Sequence, residues 1–136
     1  MRLIAALALL ALARPAFAQP ELVRRGAAVQ LIVDGKPFLI LGGELSNSAA
    51  SSPAYMAPVW PRLRAMNLNT VLAPVSWQLI EPEEGRFDFS SVDALLAGVR
   101  RNHLHLVLLW FGAWKNSMSS YAPSWVRRDE ARFPRA

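Results

Sequence analysis

Cysteine is absent from this chain of 136 residues, and histidine occurs only twice. Without cysteine the chain can form neither disulfides nor a thiolate metal site, so its stability has to come from packing. His103 and His105 stand at the start of an apolar run, which is the wrong end of a strand for chemistry in a parallel sheet. The sequence therefore predicts no metal site and no cofactor.

A membrane-spanning run is also lacking. Met1-Arg2 is followed by an apolar stretch from Leu3 to Leu12 and by Ala16-Phe17-Ala18, which has the A-x-A form of a cleavage site. The stretch is well short of the roughly 20 residues that a spanning helix needs. We predict a signal peptide over residues 1–18, a mature chain from residue 19 to 136, a secreted or periplasmic location, and no membrane association after cleavage.

A basic stripe is missing as well, although the formal net charge is +5. Two of the positive charges, Arg2 and Arg14, lie in the predicted signal peptide, and the remaining basic residues are scattered. A nucleic-acid-binding surface needs clustered basic residues and a recognisable motif. We therefore expect no nucleic-acid partner and assign the paired arginines to solvated faces.

Three short apolar runs are the strongest structural signal in the sequence: Phe38–Leu41, Thr70–Val75 and Leu104–Phe111. They are continuous rather than alternating, as in strands that are covered on both faces in a parallel sheet. Before the first run, residues 28–33 predict a strand, and Asp34-Gly35 predicts a hairpin turn.

Helical segments separate the apolar runs. One is predicted around Trp60 to Met66, with Pro61 in its first turn. The other begins at Ser90 or Ser91, either of which can cap it, and its apolar residues recur at helical spacing: Val92, Leu95, Leu96 and Val99.

Strands that alternate with helices at a spacing of about 33 residues predict an α/β fold with a parallel sheet. The spacing alone does not distinguish a closed barrel from an open sheet. No G-x-G-x-x-G or phosphate loop follows the first run, which disfavours a nucleotide-binding α/β domain.

Polar and aromatic residues follow the three runs, at the ends where parallel α/β sheets bind ligands. Flat aromatic faces and amide or carboxylate groups are what carbohydrate sites require. Trp110 is as well suited to a core as to a site, and a carboxylate at the position of Glu44 needs a ligand or a structural partner. The candidate substrate-binding residues are Glu44, Asn47, Trp77, Trp110, Trp114, Lys115 and Asn116, with Gln78 beside them.

The segment from Trp77 to Phe89 resembles the W-x-x-x-E-P-x-x-G-x-[FY]-[DN]-F signature of β-galactosidase-type clan A glycoside hydrolases, especially families 35 and 42. An aspartate, Asp93, follows it, as in the signature. Further similarity covers essentially the whole mature chain: Gly42 to Leu45, Asn69 to Val71, Leu108 to Asn116 and Tyr121 to Val126.

This resemblance implies the amino-terminal part, about three βα units, of a (β/α)8 barrel, a carbohydrate substrate such as a β-galactoside, and a retaining mechanism with two glutamates. In this clan the acid/base follows an Asn at the end of the fourth strand, and the nucleophile ends the seventh. No Asn-Glu pair occurs in the chain. We therefore expect no catalytic residue here and a chain that is inactive alone; Glu81 is at most a sugar contact or a residue that fixes its loop.

A small secreted carbohydrate-binding module that uses its tryptophans without catalysis is the alternative. Such a module would close its own core, whereas this chain ends in an arginine-rich, helix-like segment.

Overall fold

The computed structural model of the protein describes residues 19–112, 114–115 and 119–134, and the predicted signal peptide lies outside these residues. The chain divides into two compact units, one up to Leu39 and the other from Ile40 onward. The second unit contains the sheet whose strand ends carry the candidate site.

The first unit contains a three-stranded antiparallel sheet in the order β1-β2-β3. Its strands are β1 (Glu21–Arg25), β2 (Ala28–Val33) and β3 (Lys36–Pro37). Asp34 and Gly35 both adopt positive φ angles, 50° and 74°, as the tight turn of a hairpin requires. The strand at residues 28–33 and the turn are confirmed, whereas β1 was not predicted.

The second unit contains a three-stranded sheet in the order β4-β5-β6. The strands β4 (Gly42–Glu44), β5 (Thr70–Ser76) and β6 (His105–Gly112) run parallel, with Gly42 beside Thr70 and Thr70 beside His105. The predicted α/β class with a parallel sheet is therefore confirmed.

Helices connect the parallel strands. Between β4 and β5 lie a 3-10 turn (Ala49–Ser51), α1 (Pro53–Met56) and α2 (Val59–Ala65); between β5 and β6 lie α3 (Trp77–Ile80) and α4 (Ser90–Arg101). The two predicted helices correspond to α2 and α4, and Pro61 falls in the first turn of α2 as expected. The short elements around them were not predicted.

After β6 the chain forms a small antiparallel pair, β7 (Trp114–Lys115) with β8 (Ser119–Ser120), and then α5 (Ser124–Arg128).

The core of the second unit lies between one face of β5 and the helices. Val71 and Ala73 of β5 have no solvent exposure and pack with Trp60 of α2 and with Leu95 and Val99 of α4. Leu95 and Val99 are one helical turn apart, so the spacing that predicted α4 also identifies its buried face.

Two expectations about the strands are wrong. Residues 38–41 form no strand, and Leu39 is 75% exposed. Pairing with β5 begins only at Leu41, whose carbonyl accepts hydrogen bonds from the amides of Asn69 and Thr70. In addition, burial on both faces holds only for β5, where every residue except the half-buried Leu72 is buried; Glu44 of β4 and Val107 of β6 are exposed.

The predicted helix cap is also wrong. Neither Ser90 nor Ser91 caps α4; the amide of Ser90 donates instead to the side chain of Asp88, over 2.8 Å. Hydrogen bonds from the side chain of Ser90 and from its backbone amide favour the ionised carboxylate, so the pKa of Asp88 lies below its ordinary value.

Candidate functional site

The carboxyl edge of the parallel sheet, where β4, β5 and β6 end, carries the candidate site. Glu44 is the last residue of β4, and Trp77 follows the last residue of β5 directly. Glu44 is exposed, while Asn47, three residues later, is half-buried. The structure thus places Glu44 at the end of its strand and Asn47 and Trp77 after strand ends, in the region that the sequence predicted.

Glu44 and Trp110 belong to opposite faces of the sheet. Glu44 pairs with Leu72, whereas Trp110 pairs with Val75. Residues paired across parallel strands share a face, and alternate residues of one strand point to opposite faces. Trp110 therefore shares the face of Val71 and Val75 that the helices cover, where it is 59% exposed, and the structure does not bring it together with Glu44.

Three candidate residues fall on the segment after β6. The backbones of Trp114 and Lys115 form β7, which pairs with Ser119 and Ser120. Their side chains, and Asn116 as a whole, lie outside the described residues. Their predicted sugar contacts stay predictions.

Trp77 is held by two contacts of its side chain. Its indole Nε1 donates a hydrogen bond of 2.7 Å to Oε2 of Glu81. Its ring meets the ring of Trp125 edge to face, with 5.6 Å between centroids and an interplanar angle of 86°. This is the preferred geometry of aromatic pairs, so the orientation of the half-buried indole is fixed from two sides.

Glu81 organises the turn that follows Trp77. Its second carboxylate oxygen, Oε1, accepts a hydrogen bond of 2.8 Å from the amide of Gly85, which has a φ of 74° that favours glycine. Its backbone carbonyl accepts a bond of 3.1 Å from Nε1 of Trp125. The tryptophan, glutamate and glycine of the quoted signature are therefore joined by hydrogen bonds, and Glu81 fixes its loop.

An ion pair joins the same turn to the end of the described chain. Arg132 donates to both carboxylate oxygens of Glu84, over 2.6 and 3.1 Å, and its guanidinium lies 4.9 Å from the ring centre of Phe133. The bonds lower the pKa of Glu84 and raise the pKa of Arg132. Both side chains are about half exposed, so solvent screens this pair and it orients the segment more than it stabilises the fold.

Two residues of the site were missed as site residues. The buried Tyr121 accepts a hydrogen bond of 2.8 Å at its carbonyl from the amide of Gln78, and Trp125 packs on Trp77. Both belong to the quoted resemblance, which is the signal that could have identified them. Their contacts, however, join residues more than 40 positions apart, which local periodicity does not reveal.

Within the part of the chain that the structure describes, no group of three or more acidic, histidine or cysteine side chains is placed to hold a metal ion. Among the same residues, no helix is both long enough and apolar enough to cross a membrane.

Comparison with known proteins agrees with these features. The family model described as glycosyl hydrolases family 35 matches residues 30–120. A β-galactosidase of Xanthomonas manihotis is 38% identical over 71 residues, covering 52% of this chain and 12% of its own length. The human β-galactosidase-1-like protein 3 is 40% identical over 58 residues, covering 43% of this chain and 9% of its own length.

A solved structure shares the fold. The exo-β-1,4-mannosidase Op5Man5 from Opitutaceae bacterium strain TAV5 superposes with a TM-score of 0.54 at 20% sequence identity, over 67% of this chain and 18% of that one. The chain spans about a tenth of the length of the two curated relatives. Since the family model matches more than half of the sequence, the chain belongs to glycosyl hydrolases family 35.

Proposed function

We propose that this chain forms about three βα units, the amino-terminal portion of a (β/α)8 barrel, in an exported, retaining, β-galactosidase-like glycosidase. The observation that carries the proposal is the match of family 35 to residues 30–120, the region that contains the parallel order β4-β5-β6. Sequential parallel strands joined by helices are the repeating unit of such a barrel.

The proposed role of the chain is to supply part of the substrate-binding rim. In barrel enzymes the ligand lies at the carboxyl ends of the strands, and Glu44, Asn47 and Trp77 lie at or just after strand ends here. A carboxylate and an amide suit sugar hydroxyls, and an indole suits the C–H surface of a sugar ring. Trp114, Lys115 and Asn116 would extend this rim, and Trp110 is its least supported member because of the face it occupies.

The catalytic glutamate pair lies outside this chain in our proposal. Retention of configuration requires two carboxyl groups about 5 Å apart, one acting as acid/base and one as nucleophile. Glu81, the best-placed glutamate after Trp77, already accepts hydrogen bonds at both carboxylate oxygens. We therefore expect the chain alone to hydrolyse no glycoside. Residues 1–18 would direct export and be removed, which gives a secreted or periplasmic protein.

One experiment tests these points together. The gene is sequenced beyond the codon for Ala136, and this chain and the longer protein are assayed with p-nitrophenyl β-D-galactopyranoside. We expect an in-frame Asn-Glu after a fourth apolar run, a later glutamate at a strand end, and hydrolysis with retained anomeric configuration by the longer protein only. Hydrolysis by this chain alone, or a reading frame that stops at Ala136, would overturn the proposal; in the second case binding without hydrolysis would indicate a carbohydrate-binding module.

A further inference from the structure

The indole of Trp77 has no hydrogen-bond donor left for a ligand. Tryptophan has a single side-chain donor, Nε1–H, and in Trp77 it is bound to Oε2 of Glu81 over 2.7 Å. Charge-assisted bonds of this length are stronger than bonds between neutral groups. What Trp77 offers at the carboxyl edge of the sheet is therefore the apolar surface of its half-buried ring.

The partners of Trp77 are themselves held in place. Glu81 is bound to the amide of Gly85 and, through its carbonyl, to Nε1 of Trp125. The ring of Trp125 in turn meets the ring of Phe133 edge to face at 5.7 Å between centroids. We name the three residues that hold Trp77 directly or in turn, Glu81, Trp125 and Phe133, the aromatic clamp.

We infer that Glu81 and Trp125 are positioning residues that hold Trp77 as a rigid stacking platform for the C–H face of a saccharide ring. The inference rests on the proposed function, because it assigns a mode of recognition to the same rim. Sugar hydroxyls near the platform would then be bound by other groups of the rim, and Trp77 would discriminate sugars by the shape of their apolar face.

Rigidity is the physical reason that the clamp matters. A side chain that becomes ordered only on binding costs free energy that a preorganised one does not, and the usual cost corresponds to an affinity loss of about 2- to 10-fold. Removing the clamp without touching Trp77 should therefore weaken saccharide binding by a factor of this size.

The test uses methyl β-D-galactopyranoside as the probe and the full chain carrying ¹⁵N-labelled tryptophan, kept at a concentration at which sedimentation velocity shows it to stay in solution. The indole signal of Trp77 is assigned with W77F. In the unsubstituted chain we expect slow exchange of this indole proton with solvent, and saturation transfer from tryptophan ring protons to the C–H protons on one face of the sugar. In E81A we expect fast indole exchange, weaker saturation transfer and affinity lowered by about 2- to 10-fold.

Two further variants and a control separate positioning from general damage to the fold. E81Q keeps one acceptor oxygen and should restore part of the affinity, and W125F keeps a ring against Trp77 but removes the bond to the carbonyl of Glu81. E83A is the matched control, because Glu83 lies in the same turn and pairs only with the exposed Arg86 among the contacts seen. It should bind the probe like the unsubstituted chain.

The outcomes distinguish the inference from the proposed function. If the unsubstituted chain and E83A bind the sugar and E81A, E81Q and W125F bind it equally well, the clamp has no positioning role and the inference is overturned. If the unsubstituted chain gives no saturation transfer to the sugar, the proposed rim fails and the platform fails with it, whatever the exchange rate of the indole proton.

Discussion

Gly98 shows how closely α2 and α4 approach each other. A Cβ atom built on Gly98 would lie 2.6 Å from Cε2 of Trp60 and closer still to Cζ2. Trp60 is buried in the core, so moving its ring would disturb its packing with Val71, Leu95 and Val99. In an exposed helix, replacing glycine by alanine would raise the free energy of unfolding by up to about 1 kcal/mol. At Gly98 the overlap with Trp60 outweighs this gain.

We predict that Gly98→Ala lowers the free energy of unfolding by about 1–3 kcal/mol, the usual cost of overpacking. Urea denaturation measures it. Trp60→Phe provides the control, since phenylalanine lacks the benzo atoms that the new methyl group would meet; in that background Gly98→Ala should cost less. An increase in stability on Gly98→Ala alone would show that the two helices separate freely.

The hydrogen bonding of Asp88 at the first residue of α4 depends on pH. Its carboxylate accepts hydrogen bonds from the side chain and the backbone amide of Ser90, and these lower its pKa in the folded chain. The pKa of an aspartate in the unfolded chain is about 3.9. Because the pKa of Asp88 is lower in the folded chain, its full contribution to stability is present above the unfolded pKa and is lost as the pH falls through the folded pKa.

We therefore predict that Asp88→Asn makes the melting temperature less dependent on pH in the acid range. Asparagine keeps an acceptor oxygen but does not titrate, so the melting temperature of the unsubstituted chain should fall more steeply between about pH 5 and pH 2 than that of the variant. Thermal melts followed by circular dichroism across this range measure it. Parallel curves for the two proteins would contradict the assignment.

The sequence predicted which candidate residues lie at strand ends. It did not predict which face of the sheet each of them occupies. Glu44 and Trp77 lie at strand ends because an apolar run marks where a strand stops. The position of Trp110 on the helix-covered face follows from its pairing with Val75, and the pairing register is not encoded in the run itself. Trp125 was missed because its partner Trp77 is distant in the sequence.

At the scale of elements, Asn69 joins the amino ends of the three parallel strands. Its Oδ1 accepts hydrogen bonds of 2.9 Å from the amide of Leu41 and from the hydroxyl of Thr70. Its carbonyl accepts a bond of 2.8 Å from the amide of His105. Thr70 is buried, so its hydroxyl has little access to water as a replacement.

We predict that Asn69→Ala lowers the free energy of unfolding by about 1–2 kcal/mol, since it leaves a buried hydroxyl without this acceptor. Asn69→Asp retains the oxygen and serves as the control. Urea denaturation gives the stability, and hydrogen exchange at the amide of Leu41 reports whether β4 loosens. Equal midpoints for the alanine and aspartate variants would mean that Oδ1 contributes nothing.

Elements with strong periodicity were predicted, and elements defined by pairing or by a single turn were not. The spacing of Leu95 and Val99 gives α4, and the run from Thr70 gives the buried β5. The run at residues 38–41 is equally apolar, yet Leu39 is 75% exposed, because apolarity alone fixes neither burial nor the point at which backbone pairing begins. The helical turn α3 is too short for any period to show.

At the scale of the whole molecule, the parallel sheet is open within the described residues. Its order is β4-β5-β6, so the outer edges of β4 and β6 pair with no further strand there. Val107, on the face of Glu44, is 41% exposed. Open edges and exposed apolar strands favour pairing with other chains, and both follow from the proposal that this chain is part of a larger barrel.

We therefore predict that the chain associates or precipitates when it is expressed alone, and that Val107→Lys reduces this association, because a charge on an edge strand opposes pairing. Met66→Lys is the matched control: it also replaces an exposed apolar side chain by lysine, but at the end of α2 and not on an edge strand. Sedimentation velocity over a range of concentrations measures the association. A monomer with a single cooperative thermal transition would show that the open edges do not drive association, and the chain would then be a self-sufficient domain.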